Sequence, residues 1–205
     1  ISAIFQSFST GDHILLPDDV YYNVYMLTTE VFERWGLEFT IVDMSDKNDV
    51  LSAIKDNTKL IWVETPSNPQ LKITDIEQIS EIAKKNDILL AVDNTWSTPV
   101  LLKPLDLGAD IVMHSTTKYF GGHSDVLGGC VILKENNETA QKISHIQSLS
   151  GGVPSPFDCW LISRGIQTLH LRVTAQTKTA KKLAKFLEKH PQIKKVNYPG
   201  LKSHT

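Results

Sequence analysis

Ile88-Leu89-Leu90-Ala91-Val92-Asp93-Asn94-Thr95 is the stretch on which the reading of the chain turns. An unbroken apolar run of this length is the mark of a strand buried on both faces of a parallel sheet. The run stops abruptly on an acid, an amide and a hydroxyl. The same form recurs on either side. Leu60–Val63 runs into Glu64-Thr65-Pro66-Ser67-Asn68-Pro69, and Ile111–Met113 runs into His114-Ser115-Thr116-Thr117-Lys118.

Further short apolar runs at Ile14–Leu16, Glu38–Val42 and Gly129–Leu133 complete a set of predicted strands. Between them, Val24–Trp35, Asp49–Ile54 and Asp75–Lys85 carry helical spacing. In the last, Ile76, Ile79, Ile82 and Ala83 line one face behind Asp75, which stands where a cap belongs. Strand and helix in alternation predict an α/β fold, with a mostly parallel sheet covered by helices on both faces. Ser150-Gly151-Gly152-Val153-Pro154-Ser155-Pro156 is a turn-rich breaker, and a long helix is expected from about Thr168 to Lys189 with a wet face of lysines. Ile193–Val196 has the composition to start a strand of another domain. These shifts place a boundary near Gly165, dividing a large domain over 1–165 from a connecting helix and the start of a smaller C-terminal domain over 166–205. Ile1-Ser2-Ala3-Ile4-Phe5-Gln6-Ser7-Phe8 has helical spacing with no cap before it, and Pro199–Thr205 reads as a loop. Both ends are expected to be cuts in a longer protein.

The chain has 205 residues, 21 Lys+Arg against 23 Asp+Glu, and 41% hydrophobic residues. That is ample for a core and too balanced in charge to mark a nucleic-acid or anionic-membrane surface. No apolar run nears the roughly 20 residues of a membrane helix. Two cysteines, Cys130 and Cys159, suit a reducing compartment, so a cytoplasmic protein is expected.

In open α/β sheets ligands bind beyond the carboxyl ends of the strands. Three consecutive strand ends there deliver Asn68, Asp93, and Ser115 and Thr117 followed by Lys118. Pyridoxal phosphate needs this inventory. A lysine amine forms a Schiff base with its aldehyde, an acid keeps its pyridine nitrogen protonated, and hydroxyls and backbone N–H groups hold its phosphate. An aromatic side chain stacks on its ring. Taken singly, the residues allow plainer roles. Asp93 and Asn94 read equally as a strand-end turn, Ser115 and Thr117 as helix caps, and Tyr21 as a core aromatic. Arg172 reads as facing a helix neighbour as easily as a site and is not placed in it. A nucleotide-binding oxidoreductase lacks its G-x-G-x-x-G turn, a P-loop is absent, and His114 with His123 makes a poor zinc site, so no metal is expected.

A series of ordered motifs resembles the Cys/Met-metabolism pyridoxal-phosphate enzymes, the relatives of cystathionine γ-synthase, γ-lyase and β-lyase. They are Glu64–Pro69, Asp93-Asn94-Thr95, Pro104–Val112, His114–Tyr119 with Gly122-His123-Ser124-Asp125, Val153–Cys159, Arg164–Leu169 and Tyr198–Leu201. The resemblance spans essentially the whole chain and implies a fold-type I architecture. It implies that Lys118 holds the cofactor and moves protons between substrate carbons. Asp93 pairs with the pyridine nitrogen, and Ser115 and Thr117 bind phosphate. Tyr21 stacks on the ring and assists proton transfer, and Asn68 lies near the ring hydroxyl. It further implies amino-acid substrates (cystathionine, activated homoserine, cysteine) and a homotetramer sharing active sites between subunits. The His114–Tyr119 motif is closer to the synthase and γ-lyase branch. O-acetylhomoserine sulfhydrylase, cystathionine β-lyase and methionine γ-lyase are the alternatives within the family, and a non-catalytic relative stands outside it.

Two departures stand out. The family usually has two glycines after the stacking tyrosine, where Tyr22 and Asn23 stand here; side chains permit unusual dihedrals less readily, so either altered geometry near the ring or a narrower substrate entrance is expected. Methionine γ-lyases carry a cysteine where Asn23 stands, which counts against that activity. The chain's three arginines, Arg34, Arg164 and Arg172, include none that matches the family's substrate-carboxylate arginine.

Overall fold

The computed structural model describes residues 1–204. Six strands form one sheet: β1 (His13–Pro17), β2 (Glu38–Val42), β3 (Thr58–Glu64), β4 (Leu89–Asp93), β5 (Ile111–Ser115) and β6 (Gly129–Leu133). Their spatial order is β2-β1-β3-β4-β5-β6, with every pair parallel except β5 and β6. The helices are α1 (Ser2–Phe5), α2 (Tyr22–Leu27), α3 (Lys47–Ala53), α4 (Ile76–Lys85), α5 (Thr98–Leu101), α6 (Glu138–Leu149), α7 (Pro156–Ile166) and α8 (Leu169–Leu187). A π-turn, Thr28–Phe32, and a 3-10 turn, Glu33–Trp35, prolong α2.

The apolar runs are continuous because both faces of the central strands are buried. Leu15, Ile61, Val63, Leu90, Val92 and Val112 point to one side, where Val50 of α3 and Ile76, Ile79 and Ile82 of α4 cover them. Their neighbours Ile14, Leu16, Leu60, Trp62, Ala91, Ile111 and Met113 point to the other, against Ile4, Phe5, Val24, Phe32 and Ile143. Period-two alternation therefore feeds two cores. Phe5 sits at the centre of the second, edge-on to both Phe32 and Trp62.

Helix starts follow their caps. Asp75 accepts a hydrogen bond from the Gln78 amide at the head of α4, and Asp46 does the same for Asn48 at α3. Ser155 caps α7 through Asp158 N–H, with Pro156 in the first turn, so the end of the predicted breaker is itself a helix start. The expected boundary near Gly165 falls at the end of α7. One expectation is corrected. Ile193–Val196 forms no strand, because among the described residues no neighbouring strand offers partners for its backbone groups.

Candidate active site

The strand order reverses direction between β1 and β3: from β1 the chain crosses to β2 on one side, then returns to β3 on the other. That is the switch point at which parallel sheets open a crevice beyond their carboxyl ends. A cavity of about 1310 Å³ lies at this edge. All six residues singled out from sequence, Tyr21, Asn68, Asp93, Ser115, Thr117 and Lys118, line it.

Each is delivered by the end of a strand. Asp93 is the last residue of β4 and buried; its Oδ1 accepts from the Thr95 N–H at 2.9 Å. Burial pushes its carboxyl up from the ordinary range, against the pull of its Thr95 hydrogen bonds. Ser115 ends β5, with its amide donating to Thr95 Oγ1 at 2.8 Å, so one threonine sets both strand ends. Lys118 sits within a π-turn, Thr116–Phe120, at non-helical dihedrals (φ −93°, ψ −119°), and makes no ion pair among the described residues. Neither Ser115 nor Thr117 caps this turn. Thr117 Oγ1 instead accepts from Gly128 N–H at 3.0 Å and lies 3.3 Å from Gly128 O, to which its O–H donates. An anion at the site would compete with that carbonyl for the donor.

Tyr21 opens α2 as its N-cap residue, with its ring half exposed along the cavity. Tyr22 and Asn23 lie in the first turn of α2 and neither has positive φ. The altered backbone expected from the missing glycines is therefore not needed: the conformation is right-handed helix, which any residue adopts. What the substitution changes is chemistry, since Asn23 Nδ2 donates to Tyr21 Oη at 3.0 Å.

Of the polar residues in the cavity wall that sequence reasoning did not place in the site, Glu64 and Arg172 make the most informative contacts. Glu64, the last residue of β3, is buried, and its Oε2 accepts from the Tyr21 N–H at 2.9 Å. Burial, reinforced by Asp93 and Asp19 and opposed by the Tyr21 amide, pushes its carboxyl up to about 8. Its place directly after the apolar run Leu60–Val63, as Asp93 follows Ile88–Val92, was the available signal. Arg172, set aside above, reaches the cavity from α8. Its Nη2 donates to Gly165 O at 2.7 Å and its Nε to Thr168 Oγ1 at 2.9 Å, while its guanidinium lies against the Cα of Gly122. The four-residue step from Thr168 to Arg172 was its sequence signal.

A buried acid, an unpaired lysine amine, a free strand-end hydroxyl and an accessible aromatic ring fit pyridoxal phosphate by their chemistry. The family model for the Cys/Met metabolism PLP-dependent enzymes matches residues 1–205. The chain belongs to this family. Cystathionine gamma-lyase of Bacillus subtilis (strain 168) is 50% identical over 204 residues, covering 100% of this chain and 54% of that protein. Cystathionine beta-lyase MetC of the same organism is 48% identical over 204 residues, covering 100% of this chain and 52% of that protein. The crystal structure of cystathionine gamma-lyase from Lactobacillus plantarum complexed with L-serine superposes with a TM-score of 0.96 at 43% identity, covering 98% of this chain and 52% of that one. The chain thus spans about half the length of the Cys/Met-metabolism relatives it matches. Among the described residues no helix is long and apolar enough to cross a membrane.

Proposed function

We propose that this chain is the cofactor-holding part of a pyridoxal-phosphate-dependent transsulfuration enzyme acting on sulfur amino acids, of the cystathionine γ-synthase or γ-lyase type. The observation that carries the reading is the convergence of Tyr21, Asn68, Asp93, Ser115, Thr117 and Lys118 on one cavity at the switch point of the sheet. Residues 1–165 form the cofactor domain in this reading, and 166–205 lead into a smaller C-terminal domain. The working enzyme is a cytoplasmic homotetramer with sites shared between subunits.

Pyridoxal phosphate, when bound, supplies an electron sink for charge developing at a substrate Cα. The chain's residues do the rest. Asp93, pinned by Thr95, places a buried negative charge where the pyridine nitrogen is to be kept protonated. Tyr21 offers its ring face as a stacking surface and its phenol as a proton partner. Asn68 offers a side-chain amide to the ring hydroxyl. Ser115 and Thr117 would hold the cofactor's phosphate through their hydroxyls. Lys118 Nζ would hold the aldehyde and, as a free amine, would carry protons between Cα and Cβ of the substrate. The π-turn that holds it gives the amine a fixed base beside β5.

Borohydride reduction of the full-length enzyme, followed by peptide mass mapping, tests the reading. The expected result is a pyridoxyl adduct on Lys118. A clean Lys118 with cofactor available sinks the mechanism. Cystathionine then sorts the branches: cleavage on the γ side releases cysteine, and on the β side homocysteine. Release of homocysteine would replace the γ reading with that of the β-lyase branch.

A further inference from the structure

Strands β3 and β4 pair in parallel with Glu64 level with Asp93, so the two carboxyls leave the same face of adjacent strands, about 5 Å apart in the sheet, and both line the cavity. Across the crevice, the segment after β1 is held by acids. Asp19 Oδ2 accepts from Ser67 Oγ and from Gln70 N–H at 2.9 Å, and Glu64 Oε2 accepts from Tyr21 N–H at 2.9 Å. The Glu64 bond bridges the switch point, joining the end of β3 to the residue that opens α2. Tyr21 makes no side-chain capping bond; its carbonyl accepts from the Val24 and Tyr25 amides within the helix, and its own N–H, pointing away from the helix, is held by this carboxyl.

We propose that Glu64 is a positioning residue that couples Tyr21 to Asp93: its carboxyl fastens the Tyr21 backbone to the sheet edge that carries Asp93, so that one side chain sets the stacking ring and the acid beneath it in common register. This deepens the cofactor reading above and rests on it. The groups facing Glu64 are the carboxyls of Asp93 on β4 and Asp19 on the β1–α2 segment, with the Tyr21 amide as its donor; Lys118 lines the same cavity from the π-turn after β5. Beside two acids, a neutral carboxyl serves better than a charged one: it still accepts from the Tyr21 N–H and does not repel Asp93. The upward displacement of Glu64 agrees with that geometry.

The test uses the full-length enzyme loaded with pyridoxal phosphate, as wild type, Glu64→Gln and Glu64→Met. Cofactor affinity and the visible circular dichroism of the bound ring are measured, with borohydride trapping at Lys118. Gln keeps a neutral acceptor and is expected to preserve both signals. Met removes the acceptor and is expected to weaken cofactor binding about fivefold or more, the scale of one lost hydrogen bond, and to collapse the dichroic band while the Lys118 adduct still forms. A Met variant equal to wild type overturns the proposal, as does a Gln variant as impaired as Met. If Met does not fold, thermal unfolding of cofactor-free wild type and Gln decides. The folded state keeps a proton on Glu64 that the unfolded chain loses above the ordinary glutamate value of 4.5, so wild type loses stability relative to Gln as pH rises from 4.5 to about 8 and no further above it. A gap that does not change with pH overturns the neutral Glu64 acceptor on which the positioning of Tyr21 beside Asp93 is argued. Absence of the Lys118 adduct from wild type overturns the cofactor reading together with this one, whereas an intact adduct beside an unchanged Met variant removes only the coupling.

Discussion

Asn23 Nδ2 donates a hydrogen bond to the phenol oxygen of Tyr21 at 3.0 Å, from two residues further along the first turn of α2. One acceptor site of the phenol is thereby used by the chain itself, and its O–H is left to point elsewhere in the cavity. Asn23→Ala removes the donor while keeping a good helix former. The expected outcome is a fall in kcat/KM of about fivefold with an unchanged melting temperature, read by steady-state kinetics beside a thermal melt. Kinetics equal to wild type would show that Asn23 does not hold the phenol.

Asp93→Asn keeps the size of the side chain and its acceptor for Thr95 N–H but removes the negative charge. A ring nitrogen facing an amide has no counter-charge for its proton, so kcat should drop by about a hundredfold or more, the scale of a buried electrostatic partner. Steady-state rates and cofactor retention on gel filtration check this. A rate within a few-fold of wild type would remove Asp93 from the mechanism.

Gly165 is the point where α7 touches the turn that carries Lys118. A Cβ there would clash with Phe120 O and Gly121 O, both backbone atoms. Gly165→Ala should therefore cost about 1–3 kcal/mol and lower the melting temperature by roughly 5 °C. Because the displaced atoms belong to the end of the π-turn, the Lys118 adduct should form more slowly as well. A melt identical to wild type would show that α7 can shift freely.

His13 is buried between Thr58 Oγ1 and Thr40 Oγ1, 2.8 Å from each, and burial with nearby Lys55 pushes it down to about 4. The unfolded chain binds a proton on this ring near pH 6.5, while the folded protein resists until about 4. Stability contributed by the neutral ring is thus present above 6.5 and lost as pH falls through this window. His13→Asn should flatten the acid limb of a melting-temperature profile between pH 6.5 and 4. A limb of unchanged slope would mean that other groups carry the acid sensitivity.

The sheet was legible because its strands are buried on both faces: runs such as Leu60–Val63 and Ile111–Met113 have no other use in a chain of this charge. The α4 helix was legible for the opposite reason, since one apolar face behind an aspartate cap is a local pattern. Helices α6 and α7 gave weaker signals. Only Ile143 of α6 and Gly165 of α7 are buried, so neither has a continuous apolar stripe to read. Ile193–Val196 misled because apolar composition states a tendency to pair and says nothing of whether a neighbour is there to pair with.

Local patterning determined an α/β sheet and the strand ends that bear chemistry, and the family resemblance carried by the motifs added Tyr21 to complete six residues of one cavity. Tertiary structure decided what those residues touch. Only folding places Glu64 level with Asp93 and under the Tyr21 amide, and only the packing of α8 brings Arg172 beside Gly122. The physical reason is range. Strand and helix preferences act over a few residues, whereas a buried carboxyl's charge and hydrogen bonds depend on neighbours tens of residues away in sequence.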